Sequence, residues 1–168
     1  MNDLPIFQLI LGAVVTFLAY KTLFQERKTD FKYNKEKADS GDKEAQYRLG
    51  MMYCNAVNVE QNYAEGMQWL QKAAEQNHVA AQFCLGILHD EGQGIPQNSA
   101  EAIKWYRKAA EQGDTDAQFH LGRMYDEGRN IPQDQAEAIK WYRQAAEQGH
   151  DDAETNLKRL DVNYQGVQ

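Results

Sequence analysis

The sequence predicts an all-α chain: an N-terminal transmembrane helix followed by a short α-solenoid of stacked helix pairs. Three observations carry this. Leu49-Gly50, Leu85-Gly86 and Leu121-Gly122 stand 36 residues apart, as do Trp69, Trp105 and Trp141 and the doublets Ala73-Ala74, Ala109-Ala110 and Ala145-Ala146. Recurrence at a fixed period of this size marks supersecondary units that bury a core only against their neighbours. Inside each period a turn-rich segment such as Gly128-Arg129-Asn130-Ile131-Pro132-Gln133 interrupts the helical pattern, so each unit divides into two helices. Ahead of the repeats, Leu4 to Tyr20 is 17 residues without a charge, bounded by Asp3 and Lys21.

Residues 1–21 are expected to be a membrane anchor, with residues 4–20 in the bilayer. A helix of this length rises about 25 Å, near the lower limit for a span. Two other readings compete. A cleaved signal peptide wants a basic start and small residues before the cut, whereas this chain begins Met1-Asn2-Asp3 and carries Phe17 two places before Ala19. A buried helix would show a polar face, yet only Gln8 and Thr16 interrupt the apolar run. Lys21, Arg27, Lys28, Lys32 and Lys35 follow the run and no Lys or Arg precedes it. Positive residues stay on the cytoplasmic side, so the expectation is a single pass through the inner (cytoplasmic) membrane with the repeats in the cytoplasm. The alternative is an exported protein acting in the envelope or in host contact.

Residues 22–40 follow as a linker helix and N-terminal cap. One period before Trp69 and Ala74 stand Tyr33 and Ala38, so this stretch looks like the second helix of a half-unit. The units are drawn at 41–76, 77–112 and 113–148. In the third, helix A runs from Asp114 to Glu127 and helix B from Asp134 to Gln148. Helix B opens on Asn62 with Glu65, Asn98 with Glu101, and Asp134 with Glu137, a spacing that suits a reciprocal capping box. It closes at Asn77, Gly113 and Gly149, where a left-handed residue is wanted. Gly50, Gly86 and Gly122 fall inside helix A at a cost of roughly 1 kcal/mol each, which implies a close helix crossing there. The Ala doublets offer a small surface, and Trp with Tyr53, Tyr125, Phe83 and Phe119 is expected to fill the groove as core. Residues 149–161 form a capping helix through Ala153 and Leu157, with Lys158 at the glycine position, and 162–168 read as a disordered tail.

The string Ala117-Gln118, Leu121-Gly122, Tyr125, Asp126-Glu127-Gly128, Ile131-Pro132-Gln133-Asp134, Ala138, Trp141-Tyr142, Ala145-Ala146, Gln148-Gly149 resembles the Sel1-like repeat, a relative of the tetratricopeptide repeat. The resemblance implies two-helix units stacked into a right-handed superhelix, an adaptor or scaffold in place of a catalyst, and helix A on the concave side. The first unit departs from it in its loop, where Asn55, Ala56, Asn58 and Glu60 replace the Glu, Gly and Pro of the later units.

Charge excludes one partner class. Residues 21–37 carry six Lys/Arg against three acids, while 38–168 carry 12 against 21. An acidic repeat domain does not suit nucleic acid, whose phosphates need a basic face. No catalytic or cofactor motif stands out, so no enzyme activity, small-molecule substrate, cofactor or metal is expected. The nearest approach to a ligand pair is Asp116 with His120. Cys54 and Cys84 sit six positions out of register, roughly 9 Å along parallel helices, too far for a disulfide.

Positions that vary between units mark a recognition surface. On helix A these are Glu44, Arg48 and Met51 in the first unit, Ala80, Cys84 and Ile87 in the second, and Asp116, His120 and Arg123 in the third. They form one stripe at i, i+4, i+7, continued by Asn55, Glu91 and Glu127. Met51, Cys84 and Ile87 supply an apolar centre and Arg48, Arg123 and the acids a rim, which suits a protein partner in a membrane-associated complex.

Overall fold

The computed structural model describes residues 30–128 and 130–165, and their regular structure is entirely helical. Helix α1 covers 30–39. It is followed by α2 (Lys43–Cys54), α3 (Tyr63–Glu75), α4 (Val79–Glu91), α5 (Ser99–Glu111), α6 (Thr115–Glu127), α7 (Gln135–Glu147) and α8 (Asp151–Gln165). The pairs α2/α3, α4/α5 and α6/α7 stack as a solenoid, with α1 and α8 at its two ends. The expected anchor lies outside the described residues. Among those described, no helix is long and apolar enough to cross a membrane.

Each junction between units is a two-residue device. Gly41, Asn77, Gly113 and Gly149 take φ of 95°, 58°, 92° and 88°. The next residue turns its N–H back to the preceding helix, His78 to Ala73 and Asp114 to Ala109, both at 3.1 Å. That same residue then caps the following helix: Asp42, His78 and Asp114 accept from the N–H of Ala45, Ala81 and Ala117. One helix ends and the next begins with no slack between them.

The capping boxes form by half. Asn62, Asn98 and Asp134 accept from the N–H of Glu65, Glu101 and Glu137. The acids of the second and third units turn outward instead, Glu101 to Lys104 and Glu137 to Lys140 and the Trp141 indole N–H. A lysine one turn on offers a full charge where the cap residue's backbone offers a single N–H.

Packing also corrects the expected role of tryptophan. A methyl group at Gly50 would stand 2.7 Å from Cγ of Leu70, and one at Gly122 2.6 Å from Cδ1 of Tyr142. Gly86 faces the Tyr106 ring in the same way. The close crossing therefore joins helices A and B within a unit, and the residue after each Trp fills it. Neighbouring side chains on a helix point ~100° apart, so the Trp itself is turned toward the previous unit. Trp141 packs with Ala109, Ala110, Ala117 and Leu121, and Trp69 with Ala38, Ala45 and Leu49. Tyr33 at the corresponding place on α1 is 58% exposed, because no earlier described helix exists for it to cover.

The first three seams each hold one buried glutamine, where the last has Glu154. Gln46, Gln82 and Gln118 donate to the carbonyls of Ala38, Ala74 and Ala110 at 3.1–3.2 Å and accept from Gln76, Gln112 and Gln148. The first A–B loop differs from the others as its sequence implies: Asn55 ends α2 at φ −103°, where Gly92 and Gly128 are left-handed. α8 continues to Gln165, past the expected boundary at 161, since no Gly or Pro interrupts the chain before Gly166 and Leu160 is buried against α7.

Candidate partner-binding site

The three A helices α2, α4 and α6 carry the variable stripe, and the structure draws its centre together. The Met51 sulfur lies 3.6 Å from Sγ of Cys84. With Ile87 these side chains line an open cavity of about 140 Å3 between the first two units, backed by Tyr63, Leu70 and Leu88. All three stripe residues are half-buried. Cys54 lines the same cavity, and both cysteines are free. Burial, with Cys54 nearby, pushes the Cys84 thiol up to about 11. It stays protonated at neutral pH and contributes apolar surface, not a nucleophile.

The ends of the stripe are charged and exposed. Glu44 accepts from Nε2 of His78 at 3.0 Å and from Arg48 at 2.8 Å, and these bonds, the His78 one foremost, hold its carboxyl below the usual range. Ala80 is half-buried in the first turn of α4. Arg123 reaches across the second seam to Asp90 at 3.5 Å, and Asp116 lies 3.7 Å from Nε2 of His150.

His120 does not stand free on the stripe. Its ring stacks on Tyr106 at 5.1 Å, with Phe83 and Phe119 edge-on at 5.5 and 5.8 Å, and Arg123 lies 3.2 Å from its Nδ1. Burial, then the Arg123 charge, drives its pKa down to about 4, so the ring is neutral. It belongs to the aromatic packing between α4, α5 and α6. No group of three or more His, Cys, Asp or Glu among the described residues could hold a metal ion.

Two residues outside the stripe shape it. His78 caps α4 through Nδ1, stacks on Tyr47 at 4.6 Å and presents Nε2 to Glu44. His150 repeats the arrangement at α8, stacked on Phe119 at 4.4 Å. Because Nδ1 of His78 accepts a backbone N–H, its Nε2 carries the proton and donates to the Glu44 carboxylate. Their one-period offsets from Asp42 and Asp114 were the available signal for this capping role.

The sequence matches the Sel1 repeat family over residues 43–78, 79–114 and 115–150, each match opening with the first turn of an A helix. The chain belongs to this family. These frames start two residues after those drawn from the sequence alone. Among solved structures, a Sel1 repeat protein from Oxalobacter formigenes is 38% identical, covers 77% of this chain and 98% of its own, and superposes with a TM-score of 0.69. A protective antigen of uropathogenic Escherichia coli with the same repeat fold is 34% identical over 79% of this chain, with a TM-score of 0.73. A cysteine-rich protein of Helicobacter pylori, 22% identical with a TM-score of 0.59, shares the fold. A sel1-like repeat protein of Acanthamoeba polyphaga mimivirus is 39% identical over 41 residues. The chain spans 28% of the antigen's length and 7% of the viral protein's. Sel1 repeats generally mediate protein–protein interaction and are typically non-enzymatic.

Proposed function

We propose that this Sel1 repeat protein is a non-enzymatic, membrane-tethered adaptor whose α2–α4–α6 face holds a protein partner of a membrane-associated complex. The observation that carries this is the half-buried apolar centre of Met51, Cys84 and Ile87, which spans two units beside exposed Arg48 and Glu44. An apolar pocket with a charged rim offers a partner helix both buried area and orientation. The uncharged run 4–20 serves as the tether in the inner membrane, with the repeats on the cytoplasmic side. Tethering raises the local concentration of both partners, so a shallow pocket suffices.

Photocrosslinking tests this in native membranes. A benzophenone amino acid at Met51 or Ile87 is expected to trap a defined protein, and one at exposed Gln71 is not. Recovery of the monomer alone from every position would sink the adaptor reading. Protease added to spheroplasts reports topology: intact repeats are expected, and their degradation would favour an exported protein.

A further inference from the structure

The seam between the first two units has a counterpart at the end of the solenoid. In the seam, Leu70 of α3 and Cys84, Ile87 and Leu88 of α4 form one wall of the cavity, and Met51 and Cys54 of α2 form the other. One period earlier, Asn34 of α1 and Arg48, Met51 and Met52 of α2 line a wider opening of about 620 Å3. Among the described residues nothing supplies its second wall. Tyr33, 58% exposed, and Val57, 47% exposed, both lie on this opening.

We infer that this open end rests on the anionic surface of the bilayer. The inference deepens the tether proposed above and rests on it. Nine residues, 21–29, separate the uncharged run from Asp30 on the rim of the opening. Such a linker spans about 14 Å as a helix and about 30 Å extended, so the opening is held within reach of the head groups. The stretch 21–37 carries six Lys/Arg against three acids, and on α1 exposed Lys32 pairs with Glu36 while Lys35 pairs with Asp39. A basic segment beside an exposed tyrosine is the composition that anionic interfaces attract.

The chain's own N-terminal segment is the chief competing occupant, because the period would place a further A helix there. α1 does not suit one. Where Gly66 and Leu70 let α2 approach α3, with the Gly50 carbonyl 2.9 Å from a methyl group placed on Gly66, α1 carries Asp30 and Asn34. A helix in the A position would meet a carboxylate and an amide at its closest crossing.

Hydrogen exchange on the full-length protein decides between them, measured in detergent and in phosphatidylcholine vesicles with or without phosphatidylglycerol. Amides of 30–36 and 55–60 are expected to slow by at least about threefold in the anionic vesicles relative to both other conditions, and Val57→Asp to abolish the slowing. Unchanged exchange in a chain that floats with the vesicles overturns the inference and leaves the tether standing. A chain that does not float overturns both. Protection already present in dilute detergent would put the N-terminal segment in the opening, and protection growing with protein concentration would put a second copy there; each overturns the lipid assignment.

Discussion

Gln112 donates through Nε2 to the side-chain oxygen of Gln82 at 2.6 Å, while Gln82 donates to the Ala74 carbonyl at 3.1 Å. The inner amide, buried at the seam, thus uses both of its ends, one toward the previous unit and one toward its own. The same relay stands one period on either side, at Gln46 and Gln118.

Gln82→Leu keeps the volume and removes two hydrogen bonds of the seam, while the Ala74 carbonyl keeps the Asn77 N–H and the Gln112 amide keeps the Lys108 carbonyl. Two lost bonds of this kind make the expected loss about 1–2 kcal/mol. Gln112→Leu should cost at least as much, because it leaves the side-chain oxygen of Gln82, only 1% exposed, without its donor. Urea unfolding measures both. An unchanged midpoint for Gln82→Leu would show that the relay does not hold the units together.

Gly86→Ala sets two effects against each other. Alanine favours a helix by about 1 kcal/mol over glycine. Its methyl would overlap the buried Tyr106 ring, and overpacking of this kind costs about 1–3 kcal/mol. The expected outcome is a lower thermal midpoint, with the helix content by circular dichroism unchanged. A rise in midpoint would refute the close crossing of α4 and α5.

His120 makes stability depend on pH. Its folded pKa of about 4 lies below the ordinary 6.5, so the unfolded chain takes up a proton that the native ring refuses. Its contribution is therefore complete above pH 6.5 and is lost as pH falls toward 4. For a half-buried ring this is worth about 2 kcal/mol by linkage. His120→Phe keeps the stack on Tyr106 and removes the titration. Its unfolding free energy should fall less than the parent's between pH 7 and 4, and parallel curves would show that His120 is not the group responsible.

Much of the fold was legible because the signals that build a repeat are local. Asn62, Asn98 and Asp134 cap helices, Asn77, Gly113 and Gly149 end them, and each does so through its own backbone neighbourhood. What periodicity conveys is that a position matters, not which neighbour it meets. The repeat makes Trp69 the expected filler of the groove, yet it joins units and its neighbour Leu70 closes the unit, a distinction set by the turn of the helix against partners distant in sequence. The stripe shows the same limit. Met51 meets Cys84 across a seam although its counterpart by period is Ile87, and His120 is drawn into the ring cluster of Phe83, Tyr106 and Phe119, outcomes that depend on the angle between units.

The junctions at 41–42, 77–78, 113–114 and 149–150 spend two residues to end one helix and start the next. Because neither residue is a hinge, an angular difference between units cannot be absorbed at the joint and must be carried by the side chains of the seam. The chain is in this sense a jointless arm. Its reach changes by counting, through adding or removing 36-residue lengths, and its curvature changes only by substituting what lies between them.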